Sequence, residues 1–276
     1  MEGEGKIEYT NGDTYTGDFK NDMRNGKGVL ITTKGDIYEG HFVDDKKEGH
    51  GELIKNNGDK YTGEWFDDKL NGQGKVEKAN GYYFEGLFFY DEEIDGNCKK
   101  EYTNGDIYTG EIKNRNRNGK GLLVMATGDI YEGNFLDNRR NGQGVLTTKS
   151  GVVCNGEWKE NVLNGQAKMV TKDGYTFEGA FLNGLKDGQG VEYFANSESY
   201  CGSYKKGIKE GKGLFIFKNG DTYKGEWSKD KMHGQGILIT SEGKEIYSQW
   251  SNGLLIKDKV VSKSKNKKDD KDCMIF

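Results

Sequence analysis

The segment Gly12-Asp13-Thr14-Tyr15-Thr16-Gly17-Asp18-Phe19, followed by Asn25-Gly26-Lys27-Gly28-Val29-Leu30-Ile31, decides the fold because its pattern recurs along the chain. Its central glycine returns at intervals of 23 residues, with one interval of 24, at ten positions: Gly17, Gly40, Gly63, Gly86, Gly110, Gly133, Gly156, Gly179, Gly202 and Gly225. A period of this length indicates one small structural unit that stacks on its own copies.

Each unit has the pattern of a β-hairpin. Tyr15, Gly17 and Phe19 are two residues apart, so on a strand they share one face, and polar residues alternate with them. Dipeptides such as Asn57-Gly58 favour tight hairpin turns. We expect the other connection, which ends in pairs such as Asn25-Gly26, to be longer.

Two aromatic columns, those of Tyr15 and Phe19, repeat in step with the glycines. Rings on adjacent hairpins should meet, and the glycine between them should leave room for the rings. The sequence therefore predicts an all-β fold, an elongated, twisted single antiparallel sheet of about ten tandem 23-residue hairpins.

The repeats predict one domain and a tail. Repeat 4 carries the extra residue and places Cys98 in a glycine column and Lys100 in a leucine column, which indicates either a bulge with a bend or a harmless loop insertion. The predicted boundaries are a repeat domain at 1–256 and a disordered tail at 257–276, with a half repeat at 1–11, repeats from residue 12, an irregular repeat at 81–104 and a decayed last repeat at 243–256.

The pattern Gly-Asp-x-Tyr-x-Gly-x-(Phe/Trp), followed by Asn-Gly-x-Gly, resembles the MORN repeat (membrane occupation and recognition nexus) over about residues 1–250. The resemblance implies a non-catalytic scaffold. It also implies membrane association, for which phospholipid binding by the repeats has been proposed, and self-association in cilia, flagella or cell-cortex structures. We interpret the aromatic columns as core rather than as lipid slots.

Composition argues against several functional classes. Hydrophobic residues are 33% of the chain, proline is absent, and no apolar run follows Met1, so we expect neither a signal peptide nor a membrane span. The three histidines are scattered, and the four cysteines lack metal spacing, which favours a reducing cytosol. We predict no enzyme activity, no metal, no cofactor and no nucleic-acid partner.

The tail differs in charge from the repeats. Residues 257–276 hold seven Lys and four Asp and are net +3, so with −4 for the whole chain, residues 1–256 carry −7. An electrostatic contact with an anionic membrane is predicted for five tail lysines: Lys259, Lys263, Lys265, Lys267 and Lys268.

The last four residues, Cys273-Met274-Ile275-Phe276, match a C-a-a-X prenylation signal. One lipid chain often needs a second signal for stable anchoring, and a polybasic patch is one. We predict lipidation of Cys273; the alternative is a polar tail with a chance cysteine.

A basic column runs along the longer turns at Arg24, Lys47, Arg117, Arg140, Lys186 and Lys209. We hypothesise that its densest part binds an acidic partner or a phosphoinositide head group; the alternative is solvated turn charge. The predicted residues are Lys113, Arg115, Arg117, Lys120, Arg139 and Arg140.

The sequence thus predicts a scaffold with a lipid anchor on the cytoplasmic face of a membrane, at a cell cortex or cilium, whose repeat surface binds protein partners. An exposed final strand near Gly243–Trp250 suggests a homodimer. The alternatives are a soluble cytoskeletal or ciliary scaffold with an unmodified tail, or a regulatory partner of a phosphoinositide kinase.

Overall fold

A computed structural model describes residues 1–261, and the described chain is all-β, with no helix. It divides into two compact units, one at 1–139 and one that begins at Arg140. In both units each hairpin pairs antiparallel with the next one along the chain. The predicted fold class, antiparallel β-hairpin repeats, is confirmed.

The first unit contains thirteen strands within the described residues. They are β1 Gly3–Glu8, β2 Thr14–Lys20, β3 Met23–Ile31, β4 Ile37–Val43, β5 Lys46–Ile54, β6 Lys60–Phe66, β7 Lys69–Glu77, β8 Tyr83–Phe89, β9 Glu92–Glu93, β10 Gly96–Glu101, β11 Ile107–Lys113, β12 Asn116–Val124 and β13 Ile130–Leu136.

The second unit begins in β14 and has eleven strands in the described part of the chain. They are β14 Arg139–Thr147, β15 Val153–Lys159, β16 Val162–Val170, β17 Thr176–Leu182, β18 Leu185–Tyr193, β19 Ser199–Lys205, β20 Ile208–Ile216, β21 Thr222–Ser228, β22 Lys231–Ile239, β23 Glu245–Ser251 and β24 Leu254–Val261.

The two kinds of connection are the reverse of the prediction. The tight turn is Asn21-Asp22, whose φ angles of 51° and 62° fit a type I′ turn, which needs positive φ at both central residues. The connection with the Gly35 turn is longer: Gly35 N–H bonds Thr32 O at 2.9 Å, and Thr32 N–H bonds Asp36 O at 2.9 Å. Asn and Asp tolerate left-handed backbone, which is why an Asn-Asp pair forms this hairpin turn.

Asn25-Gly26 lies inside strand β3 rather than in a turn. The register shifts between Gly17 and Phe19, which marks a β-bulge, and the Asp18 carboxylate accepts the N–H of Lys27 at 3.0 Å across it. The bulge needs the positive φ of 100° at Gly26, which explains the recurring Asn-Gly pair.

The strand glycines make room for the tyrosine column, as predicted. Tyr15 is fully buried, and its hydroxyl donates to Asp18 O at 3.0 Å. A methyl group at Gly28 would overlap the tyrosine hydroxyl, and one at Gly17 would overlap the backbone of Gly28. The Tyr15 ring therefore lies across the opposed glycines Gly17 and Gly28.

The aromatic columns form the core, and their rings meet edge to face. Tyr15 contacts Phe19 of its own strand at 5.1 Å between ring centroids and Phe42 of the next repeat at 5.2 Å. The second unit repeats this arrangement with Tyr200, Tyr204 and Trp227. T-shaped pairs contribute about 0.5–1.5 kcal/mol beyond area burial, so the predicted ring contacts link successive repeats.

In the irregular repeat the second strand is broken. Strand β9 has two residues, and Ile94-Asp95 separate it from β10, where regular repeats have one continuous strand of nine residues. The N–H of Ile94 still bonds Leu87 O at 3.0 Å. The extra residue is thus absorbed locally, and strand pairing resumes at Lys99↔Glu85.

The described chain continues one strand past the predicted final copy. Strand β24 pairs along β23, so the strand at Glu245–Ser251 is covered, and Lys257 and Lys259, which were assigned to the tail, lie in β24. Apolar residues at its start support strand formation. An antiparallel pairing of two β24 edges that placed Lys257 opposite Lys257 or Lys259 of a second copy would oppose like charges. Such pairing is unfavourable, and the predicted dimer gains no support from this edge.

Candidate functional site

The basic column lies over the aromatic core instead of standing out from the turns. The Arg24 guanidinium lies 5.0 Å from the ring centroid of Phe42 and 5.9 Å from that of Tyr15. Lys47 lies 5.3 Å from Tyr38 and 5.2 Å from the Trp65 ring. Each cation therefore covers rings of two successive repeats, which is a cation–π arrangement.

Burial affects the chemistry of these cations. Burial lowers the pKa of Lys47, and this effect is larger than that of the nearby Asp68 carboxylate, which raises the pKa. The backbone N–H of Lys47 donates to the Asp68 carboxylate at 3.0 Å, and that of Arg24 donates to Asp45 at 2.9 Å. Each basic residue is held in place by the turn of the following repeat.

The predicted patch is split by this packing. Arg117 lies 5.6 Å from the Phe135 ring centroid and donates from Nη2 to Asn138 O at 3.1 Å. Arg140 lies 4.6 Å from the ring of Trp158. These two guanidinium groups are core elements of their repeats.

The remaining patch residues are exposed. Arg115 is a turn residue with a φ of 61° and pairs with Glu92. The other three, Lys113, Lys120 and Arg139, have exposed side chains. The structure thus places two of the six predicted residues, Arg117 and Arg140, against the aromatic core and the other four at the exposed surface.

The Gly-Asp pairs of the sequence connect repeats, which sequence reasoning missed. Asp13 accepts the N–H of Thr33 at 2.8 Å, one repeat further on, and Asp59 accepts the N–H of Ala79 at 3.0 Å. These backbone hydrogen bonds lower the pKa of both carboxyl groups. The signal in the sequence was the regular spacing of the aspartates.

The column of mostly apolar residues that begins with Leu30 and Leu53, which we call the leucine column, holds two charged residues, one in each unit. In the first unit, Lys100 pairs with Glu93, which stands at the position that Arg24 and Lys47 occupy in their repeats. In the second unit, Glu192 occupies a leucine position. In the irregular repeat the basic column thus holds an acid, Glu93, and the leucine column holds a base, Lys100.

Glu192 is 5% exposed and lies between two basic-column lysines. Lys209 Nζ is 3.2 Å away, Lys186 Nζ contacts it, and the hydroxyls of Tyr175 and Tyr204 donate to it. Burial raises the pKa of Glu192, but the hydrogen bonds from Lys186 and Tyr175 and the nearby positive charges outweigh burial, so the pKa is lowered. This carboxylate is fully satisfied inside the core.

Tyr61 departs from the tyrosine column. The other tyrosines of that column are at most 1% exposed, whereas Tyr61 is half-buried. In this repeat a leucine, Leu70, stands in the basic column. Its side chain lies over Gly74, whereas in the first repeat the Tyr15 ring lies over the equivalent glycine, Gly28. Leu70 is 1% exposed, so the branched side chain has displaced the ring. A leucine in the basic column was the signal in the sequence.

The displaced ring lines a groove of about 500 Å³ on the aromatic face of the first unit. Lys55 Nζ lies 4.8 Å from the Tyr61 ring centroid. The groove, which we call the Tyr61 groove, is lined by apolar, basic and acidic residues, among them Leu53, Trp65, Val76, Lys47, Lys78, Asp36, Asp68 and Asp91. A surface with an aromatic side chain and both charge signs suits a peptide segment of a protein partner.

The predicted membrane signal falls largely outside the described residues. Lys259 lies in β24 and is exposed. Cys273 and the lysines Lys263, Lys265, Lys267 and Lys268 lie beyond residue 261. Within residues 1–261 no helix is long and apolar enough to cross a membrane, and no group of three or more His, Cys, Asp or Glu suits a metal ion.

Comparison with known families finds the MORN repeat. Its family model matches ten segments of the chain, at 1–14, 15–37, 38–60, 61–81, 108–130, 131–153, 154–174, 177–199, 200–222 and 223–244. Residues 82–107, which contain Lys100 and the broken strand, lie between matched segments. Comparison with curated proteins gave no match.

Several solved structures share a distant likeness. The TCP domain of SAS-4 (dCPAP) from Drosophila melanogaster, in complex with a proline-rich motif of Ana2 (dSTIL), is 14% identical; the match covers 69% of this chain and 90% of that chain, with a TM-score of 0.37. The TCP10 domain of Danio rerio CPAP is 7% identical, with 89% and 100% covered and a TM-score of 0.24. At these TM-scores the likenesses carry no inference about function.

Proposed function

Because the chain belongs to the MORN repeat family, we propose that it is a non-catalytic scaffold, held at the cytoplasmic face of a membrane, whose repeats bind protein partners. The observation that carries the proposal is the displaced ring of Tyr61. The other tyrosines of the column are buried in the aromatic core, whereas the Tyr61 ring lies at the surface and lines the Tyr61 groove.

The Tyr61 groove supports binding rather than catalysis. Its lysines and aspartates lie along a shallow surface, and Asp68 and Asp91 already accept backbone N–H groups of Lys47 and Leu70. Aromatic residues at the centre of an interface often contribute most of the binding energy. A partner segment that packs on Tyr61 would bury its ring without disturbing the core.

The tether part of the proposal rests on Cys273 and the adjoining lysines. A prenyl chain supplies membrane affinity, and each lysine near an anionic leaflet adds about 1 kcal/mol. A C-a-a-X signal acts at a free C-terminus, so the test needs a chain that ends at Phe276 without a tag.

The first experiment is membrane partition in eukaryotic cells of the wild-type chain, Cys273→Ser and the control Cys201→Ser. The proposal expects the wild type and the control in the membrane fraction and Cys273→Ser in the cytosol. If all three are soluble, the tether is wrong and a soluble cytoskeletal or ciliary scaffold is favoured. If all three sediment, the repeats themselves hold the membrane or an insoluble skeleton.

The second experiment tests the groove. Tyr61→Ser should reduce the recovery of specific partners from cell extract, whereas Tyr247→Ser, which alters an exposed tyrosine in the second unit, should not. Equal partner sets for both variants would remove the groove from the proposal. Lipid-kinase activity that co-purifies with the chain would instead favour the phosphoinositide-kinase alternative.

A further inference from the structure

Three exposed aromatic rings meet at two neighbouring hairpin tips of the first unit. Phe66 and Phe89 are the last residues of β6 and β8 and are 48% and 57% exposed. Tyr90, the first turn residue after β8, contacts the Phe66 ring at 6.2 Å and the Phe89 ring at 4.8 Å between centroids, edge to face in both cases. An exposed apolar cluster of this kind marks an interaction surface.

These rings do not belong to the Tyr61 groove. Phe66 directly follows Trp65 and Phe89 directly follows Phe88, and both of the preceding rings are buried in the core. Successive residues of a strand point to opposite faces of the sheet. Phe66 and Phe89 therefore point away from the aromatic face, on which the Tyr61 groove lies.

The two tips are fixed in place by reciprocal hydrogen bonds. The N–H of Asp91 donates to Leu70 O at 2.9 Å, and the Asp91 carboxylate accepts the N–H of Leu70 at 2.8 Å. Asp68 makes the same two bonds with Lys47, at 3.2 and 3.0 Å. Each turn is thus held against the hairpin before it, so a partner that binds here has little backbone to order.

The tips that carry the rings are acidic. Together with the adjoining tip at Val43 they hold eight acids and two lysines, in the segments Val43-Asp44-Asp45-Lys46, Phe66-Asp67-Asp68-Lys69 and Phe89-Tyr90-Asp91-Glu92-Glu93-Ile94-Asp95. Three bases from outside these segments form ion pairs with them, namely Arg24 with Asp45, Lys100 with Glu93 and Arg115 with Glu92. With those bases included, the acids still outnumber the bases by eight to five. The whole first unit, residues 1–139, holds 28 acidic and 19 basic residues.

The irregular repeat adds residues of its own to this surface. Ile94 and Asp95 lie between the short strand β9 and β10, and Ile94 is 38% exposed. Together with Glu93, Asn114 and Arg115 they line an open pocket of about 510 Å³. Residues 82–107 lie outside the segments that the MORN model matches. This part of the surface is therefore a feature of this chain and not of the repeat pattern.

The rings and the carboxylates around them form one surface, which we call the acidic aromatic surface: Phe66, Phe89, Tyr90 and Ile94 with Asp67, Asp68, Asp91 and Asp95. We propose that the acidic aromatic surface binds an arginine-containing segment of a protein partner. A guanidinium group stacks on aromatic faces and pairs with carboxylates, so one side chain uses both features of the surface. Lys69 Nζ already lies 5.9 Å from the Tyr90 ring centroid, so this ring accepts a cation.

Charge selects the class of partner. An excess of carboxylates repels nucleic acids and anionic membranes and attracts basic protein segments. Complementary charge mainly speeds association, whereas aromatic contacts at the centre of an interface mainly slow dissociation. The site goes beyond the proposed function, because it depends neither on the lipid tether nor on the Tyr61 groove.

The test measures binding of a labelled peptide of repeated Arg-Leu-Ser triplets to the full chain by fluorescence anisotropy. Phe89→Ser with Tyr90→Asn should weaken binding by about thirtyfold. The chain itself holds Ser228 and Asn21 at these two tip positions, so the substitutions suit the turn. The control pair, Leu182→Ser with Leu185→Ser, alters two half-exposed side chains at a tip of the second unit and should leave binding unchanged. Unaltered thermal unfolding of both variants verifies the fold.

A charge variant tests the carboxylates. Asp67→Asn with Asp95→Asn should weaken peptide binding and reduce its dependence on salt. The control, Glu39→Gln with Glu132→Gln, removes the same charge from exposed strand positions of the first unit and should leave binding unchanged. The same peptide with lysine in place of arginine should bind more weakly, because an ammonium group lacks the planar fork.

Three outcomes would overturn the proposal. The first is a ring variant that binds the arginine peptide as the wild type does. The second is an equal loss in both acid pairs, which would show attraction to the general charge of the unit. The third is a wild-type chain that self-associates in sedimentation while the Phe89→Ser, Tyr90→Asn variant stays monomeric, since the occupant would then be a second copy. Membrane partition of Cys273→Ser bears on the tether alone, so the two proposals fail separately.

Discussion

Lys100 donates a hydrogen bond from Nζ to Glu93 Oε2 at 3.0 Å, and the two side chains are 11% and 19% exposed. In regular repeats of this chain, a leucine stands at the position of Lys100 and a basic residue stands at the position of Glu93. The irregular repeat therefore has an ion pair where regular repeats have a leucine packed beside a cation. The Lys100 ammonium also lies 5.5 Å from the ring centroid of Phe84. The pair explains how the irregular repeat keeps its core.

Lys100→Leu alone should destabilise the chain by about 3 kcal/mol, because it leaves the Glu93 carboxylate partly buried without its partner. Lys100→Leu with Glu93→Arg restores the regular pattern and should recover most of the loss. Urea unfolding of both variants measures the two free energies. Equal destabilisation by the single and the double variant would show that the pair is not coupled.

Gly28→Ala should destabilise the first unit by about 2–4 kcal/mol, because the added methyl group overlaps the buried Tyr15 hydroxyl. Thr16→Ala, on the opposite and exposed face of the same hairpin, should change stability by less than about 0.5 kcal/mol. Thermal unfolding monitored by circular dichroism compares the two. A tolerated alanine at Gly28 would contradict the account of why glycine recurs here.

Tyr61→Phe should leave stability almost unchanged, because this ring has left the core. Tyr131→Phe should cost about 1 kcal/mol, because the Tyr131 hydroxyl donates to Asn134 O at 3.1 Å in a fully buried site. Denaturant unfolding of the matched pair measures the difference. Equal losses would mean that Tyr61 packs as the other column tyrosines do.

Acid should destabilise the second unit through Glu192. Its pKa in the folded chain is lowered, so its ionised form contributes stability above the unfolded value, about 4.3, and this contribution disappears as pH falls through the folded value. Glu192→Gln should therefore be less stable at neutral pH and show a shallower loss of stability below about pH 4. Unfolding measured from neutral to acid pH gives both slopes, and parallel slopes would contradict the assignment.

The phenol of Tyr15 should titrate well above its ordinary range. Burial raises its pKa to about 12, as it does for Tyr223. A spectrophotometric titration of the wild type against Tyr15→Phe and Tyr223→Phe isolates each phenol. A difference spectrum that saturates near pH 10 would mean that these hydroxyls are open to water.

The sequence by itself determined the repeat, the hairpin and the core. Residues two apart on a strand must share a face, so the spacing of Tyr15, Gly17 and Phe19 dictated which side is buried. The need for glycine under the rings also followed from local sterics. The family followed from the same residues, because the pattern recurs in register.

Only the tertiary structure decided what the turns and the basic column do. Asn25-Gly26 lies at a β-bulge, and Asn21-Asp22 forms the turn. Both dipeptides contain residues that accept positive φ, so only the strand register shows which of them is the turn. The Arg117 guanidinium lies over a ring of the next repeat, a contact between residues 18 apart that no local pattern contains. Likewise, Leu70 displaces Tyr61 because two side chains compete for one space, and that competition exists only after the hairpins pair.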